Sequence, residues 1–249
     1  MLKKIILNKD SRLLLQLEMI KDYKSIVLLQ SCMIFCSMLL DDLLLLTGMH
    51  AGTAHHVCHT LFLLLTGVYI AVLWDILRNY SQNKFIIYAT LTGIVIAFGL
   101  MLVTVNPFFT LFPGEKEAQP YLLIIHTLLF IAEATVTYFT ILNIFQGEKL
   151  STEKIWGSAC IFFMIGFSFA SMFDLILIAA PLSMGVPVKI GLESYMCCIH
   201  YSMTIIGGHD AFPNASSLIV NTGVIEAVWS NLFIVLLVGR LLGKPSEEK

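Results

Sequence analysis

Apolar residues gather into six long stretches, beginning near Ser25, His56, Lys84, Tyr121, Ile155 and Ser217. Each approaches the roughly 20 residues that a helix needs to cross a bilayer. The pattern predicts spanning helices over 25–47, 56–78, 84–106, 121–146, 155–181 and 217–243. Turn and breaker residues part them: Asn79–Asn83, Asn106-Pro107, and the stretch from Pro113-Gly114 to Pro120. A seventh apolar stretch, Leu192–Ile206, is too short to span; Gly207-Gly208 end it and Pro213 follows. Lying between the last two spans, it reads as a re-entrant segment or a buried helix. Ahead of the first span, Leu13, Leu14, Leu17 and Ile20 recur at helical spacing among Lys, Arg and acids. Residues 1–24 are therefore expected to be a cytoplasmic amphipathic segment on the membrane surface, and no cleavable signal peptide is expected.

Composition agrees with a bilayer exterior. Of the 249 residues 57% are hydrophobic and only 13% charged, about half the charge of an ordinary soluble domain. The net charge of −2 offers no basic footprint for nucleic acid. Five of the six cysteines, Cys32, Cys36, Cys160, Cys197 and Cys198, lie in apolar runs and predict no disulfide framework. With the N-terminus inside, 13 of the 15 Lys and Arg fall on the cytoplasmic side, and only Lys116 and Lys189 remain outside. That bias favours six spans with both termini cytoplasmic and a short segment entering from the outer face. Between Tyr121 and Phe145 the fourth span has no Lys or Arg, so it carries no voltage-sensor charges.

The last third of the chain resembles a known family. The run from Glu226-Ala227 to Arg240-Leu241-Leu242-Gly243 is similar to the inner helix of bacterial tetrameric potassium-channel-like proteins, and Asp210 to Pro213 resembles the Asp-x-x-Pro that follows their filter. Lys154 to Ala170, with Gly157 and Gly166, resembles their outer helix. The resemblance implies an ion-channel pore module over 155–243, with a pore helix and filter at 192–213. The region 25–146 then supplies four further spans. The family filter is Thr-Thr-Val-Gly-Tyr-Gly-Asp; here the segment reads Thr204, Ile205, Ile206, Gly207, Gly208, His209, Asp210. Gly208 replaces the aromatic and His209 the second glycine, a degenerate filter that implies inner coordination sites closer to the family than the outer mouth.

On this resemblance, carbonyls of Thr204 to Gly208 and the Thr204 hydroxyl line the ion path, with Asp210 as an acidic mouth. The pore helix is expected to end near Met203-Thr204, aiming its negative dipole end at the cavity. Glu226 is expected to brace the pore, and Ser230 stands where the family often has a bending glycine. His209 reads either as a loop histidine or as a titrating ring at the mouth.

Other acids also fall in or near apolar spans, where each needs a partner, water or protonation: Asp41, Asp42, Glu133 and Asp174. For Asp174 the candidate partners are His200 and Tyr201. His50, His55, His56, Cys58 and His59 cluster at the start of the second span; His55 and His59, at i,i+4, read as interfacial histidines or as a weak metal site.

The sequence thus predicts an all-α integral membrane protein: six transmembrane helices with a re-entrant pore helix and filter-like loop between helices five and six. One filter segment cannot ring an ion, so a homotetramer in the lipid bilayer is expected. The expected function is passive conduction of monovalent cations, chiefly potassium with relaxed selectivity, in a bacterial inner membrane. No enzyme activity, cofactor or metal is expected. No cytoplasmic ligand domain is expected, since six residues follow Gly243. The alternatives are a non-conducting channel homologue, or a metal-dependent membrane enzyme or sensor built on the His50–His59 cluster.

Overall fold

The structure, a computed structural model, describes residues 23–81, 83–105, 112, 114–145, 152–209, 212 and 214–242. These residues form helices and turns, and no strand occurs among them. We label the helices α1 (Tyr23–Leu46), α2 (Ala51–Tyr80), α3 (Lys84–Thr104), α4 (Glu115–Phe145), α5 (Thr152–Ala179), α6 (Leu192–Ile206) and α7 (Ser217–Leu242). All except α6 contain a stretch long and apolar enough to cross a membrane, as an integral membrane protein requires. The surface agrees: Leu46, Leu64, Phe85, Tyr88 and Val235 are exposed large apolar side chains, which suits lipid and not water.

Local chemistry sets the boundaries. The Asn83 carbonyl side chain accepts from the Phe85 N–H at 3.0 Å and caps α3. Gly48, at φ +85, turns the chain between α1 and α2, where a side chain would be strained. Pro120 lies inside α4 and not in the break before it: its fixed φ suits the early turns of a helix, and its missing N–H removes one bond there. A second departure from the sequence reading is a π turn within α1, Cys36–Leu40, which hydropathy gives no sign of. The segment 1–22 lies outside the described residues.

The spanning helices alternate in direction. At one end Gly157 of α5 sits against Ile144 of α4 and Tyr23 of α1, and the Lys24 ammonium lies 5.4 Å from the Trp156 ring centre. At the other end Gly191 of α6 lies against Val105, just past α3. Helix α5 is the most enclosed span, packed on α4, α6 and α7, with 67% of its apolar window buried against 17% for α3.

Helix α6 starts beside the end of α3 and stops halfway along the bundle. Its 15 residues rise about 22 Å. Its C-terminal turn rests on Gly166, midway along α5, and on Gly223, in the second turn of α7. Just ahead of α7, the Ser216 N–H donates to the Ser183 carbonyl, in the connection between α5 and α6, at 2.6 Å. The start of α6 is fixed by Gly191, whose φ of +133 admits no ordinary side chain, and by Ser194. The Ser194 hydroxyl accepts from the Gly191 N–H at 3.0 Å and donates to the Gly191 carbonyl at 2.9 Å.

Candidate functional site

Three buried acids, one from each of three helices, converge on α6. Asp174 of α5 is fully buried, with Oδ2 3.0 Å from His126 Nε2 of α4. Its Oδ1 accepts from the Cys198 thiol of α6 at 3.8 Å. Glu133, two turns along α4 from His126, accepts from the Ser171 hydroxyl at 2.8 Å, and Ser171 Oγ lies 3.5 Å from the Tyr195 hydroxyl of α6. The His126 and Tyr195 rings stand 5.0 Å apart. Glu226 of α7 accepts from the Ser202 hydroxyl of α6, whose oxygen also lies 2.8 Å from the Gly166 carbonyl. A buried acid without a partner is costly in a bilayer, so these contacts hold α6 in a fixed register against α4, α5 and α7.

The arrangement corrects the partners read for Asp174. His200 is exposed, and Tyr201 packs on the Phe173 and Phe212 rings at 4.9 and 5.3 Å with its hydroxyl against Gly223. The imidazole beside Asp174 belongs to His126, which the sequence reading missed. A signal existed: His126 and Glu133 are i,i+7 and therefore share a helix face, as Ser171 and Asp174 do at i,i+3. A narrow cavity between α2, α3, α4 and α6, lined by Thr66, Met101, Val105, Leu122, His126 and Tyr195, reaches the imidazole of His126. Nδ1 of His126 has no hydrogen-bond partner among the described residues.

The segment Thr204–His209 takes a form the sequence did not predict. Helix α6 runs through Ile206, past the expected end near Met203-Thr204, so Thr204, Ile205 and Ile206 are helical. The Gly207 N–H donates to the Met203 carbonyl at 3.0 Å, Gly208 N–H to Ile205 at 2.9 Å and His209 N–H to Thr204 at 2.9 Å. With Gly208 at φ +79 this is a Schellman cap. The Thr204 hydroxyl donates to the His200 carbonyl at 2.6 Å. The carbonyls of Thr204 and Ile205 accept the hydrogen bonds of this cap. Gly207, Gly208 and His209 are exposed, and Asp210 and Pro213 lie outside the described residues. Ser230 is buried, and its hydroxyl has no partner among the described residues.

The cap yields a sharp prediction. Nothing lies within 4 Å of a methyl group placed on Gly208, so Gly208→Ala meets backbone strain alone, on the order of 1–2 kcal/mol. Gly207 has an ordinary helical φ of −72, so Gly207→Ala is expected to cost much less. Equal unfolding midpoints for the two variants would contradict the cap.

At the start of α2 the His55 and His59 ring centres lie 3.8 Å apart with their planes tilted by 49°, and His55 Nδ1 is 4.0 Å from Asp41 Oδ2. Cys58 turns the other way, into the bundle against Cys36. His56 is exposed, and His50 precedes the first turn of α2. Among the described residues no three His, Cys, Asp or Glu side chains converge to hold a metal ion.

Compared with known proteins, the chain matches no family model, no curated protein and no solved structure.

Proposed function

We propose that the chain is one subunit of a homotetrameric pore for passive conduction of monovalent cations, potassium with relaxed selectivity, in a bacterial inner membrane with both termini cytoplasmic. In this reading α5, α6 and α7 are the outer helix, the re-entrant pore helix and the inner helix. The observation that carries the proposal is the uncovered face of α6. Glu193, Cys197, His200 and Thr204 recur at spacings of four, three and four, on one helix face, and are exposed or half-buried. The exposed Gly207–His209 turn continues from them, and α7 exposes Asn221 and Asn231 among apolar residues. Within a bilayer such polar surface is stable only against protein or water. Four copies around an axis provide both, with Glu226 and Ser202 bracing each pore helix from behind.

Conduction along the carbonyls of Thr204 and Ile205 requires the last turn of α6 to unwind, with Gly207-Gly208 as the hinge and Asp210 at the mouth. The capped turn also supports a second reading, a non-conducting channel homologue that keeps the pore architecture while its filter segment stays helical. The assembly is tested by the mass of the detergent-solubilised protein after subtraction of bound detergent. Four times the mass of one chain is expected; a monomer or dimer at all concentrations would overturn the ring, and conduction with it.

A further inference from the structure

Helices α1 and α2 meet at two buried cysteines. Cys36 opens the π turn of α1, and Cys58 lies in the second turn of α2. Their sulfurs are 3.8 Å apart and both residues are at most 2% exposed. Each thiol also reaches the other's backbone: Cys36 Sγ lies 3.6 Å from the Cys58 carbonyl, and Cys58 Sγ lies 3.3 Å from the Cys36 carbonyl. The two sulfurs are in van der Waals contact, and a disulfide needs them to close to about 2.05 Å. Cys32, one turn earlier on α1, is exposed.

We propose that Cys36 and Cys58 are a dithiol modification site that a small peroxide converts to an intrachain disulfide. One thiol attacks a peroxide oxygen, the O–O bond breaks, and water leaves a sulfenic acid behind. The second thiol attacks that sulfur, the S–O bond breaks, the S–S bond forms, and a second water departs. Each sulfur gives up one electron, the two reduce the peroxide, and both thiol protons finish in water. Burial selects the oxidant, since hydrogen peroxide is small and uncharged whereas bulky disulfides do not reach these sulfurs. The π turn packs against α6 as well as α2, so the bond ties α1 to α2 at the place where α1 supports the short helix.

The test uses the full chain in detergent, treated with hydrogen peroxide, blocked with a maleimide and digested without reduction. The expected product is a peptide joining residues 36 and 58, lighter by two hydrogens than the two thiol peptides together. It is lost in Cys36→Ser and in Cys58→Ser and retained in Cys32→Ser. Before oxidation, maleimide should label Cys32 at least tenfold faster than Cys36 or Cys58. Recovery of both thiols labelled after unfolding of the treated protein would overturn the proposal, as would a product linked through Cys32 or between chains. The readout is covalent and independent of ion flux, so it stands or falls separately from the pore reading.

Discussion

Asp174→Ala is expected to be the most damaging single truncation in the bundle. It removes the group that faces His126 Nε2 at 3.0 Å and accepts from Cys198, and leaves a polar imidazole buried among α4, α5 and α6. Leaving a buried polar partner unsatisfied costs about 1–3 kcal/mol, because the survivor keeps its desolvation penalty. An ordinary hydrogen bond between membrane helices averages about 0.6 kcal/mol, so the magnitude separates a true anchor from an incidental contact. Denaturant unfolding of the purified chain in detergent measures it. A loss toward the top of that range is expected for Asp174→Ala, with substantial recovery when His126→Leu is combined with Asp174→Leu. A loss below about 0.6 kcal/mol for Asp174→Ala would show that the pair does not anchor α6.

Gly166→Val is expected to act by crowding. The C-terminal turn of α6 crosses α5 at Gly166, where a Cβ would collide with Met203 Cε and lie 3.1 Å from Ile206 Cδ1 and 3.3 Å from Ser202 Oγ. The methionine can move aside for one methyl group, so Gly166→Ala should be mild. The branched valine also meets Ile206 and Ser202, and overpacking of this kind costs about 1–3 kcal/mol. It lifts the end of α6 off α5 and weakens the hydrogen bond from Ser202 to Glu226. Gly223→Ala, with its nearest neighbour Ile205 Cδ1 at 3.2 Å, should perturb less. The same unfolding assay reads all three, and a Gly166→Val midpoint equal to the unsubstituted chain would place the crossing elsewhere.

The spans were legible in the sequence because hydropathy reports burial from water directly. The start of α6 at Leu192 and its stop before Gly207-Gly208 follow from a short apolar run ended by two glycines, while its last helical turn was expected to end near Met203-Thr204. The polar contacts were less legible, because the partner of a buried acid depends on how helices rotate against one another. Asp174 was visible as an acid in an apolar span, but its neighbour His126 is 48 positions away on α4, a pairing that only helix packing decides. The conformation of Thr204–Ile206 was hidden for a different reason. Thr-Ile-Ile before Gly-Gly suits an extended loop and a capped helix end alike, and Gly208 at φ +79 selects the cap. The π turn at Cys36–Leu40 leaves no trace in hydropathy, since it changes the register and not the polarity of the residues.

The central claim, that this chain forms a cation pore, is tested most directly by ion flux into liposomes carrying the purified, verified tetramer. Potassium and sodium are run in parallel, with Gly207→Ala as the filter control, a substitution that the capped turn tolerates and an extended filter does not. The account predicts uptake of both ions, faster for potassium, and its loss in Gly207→Ala. Absence of flux of either ion through a verified tetramer, or flux unchanged by Gly207→Ala, would contradict it.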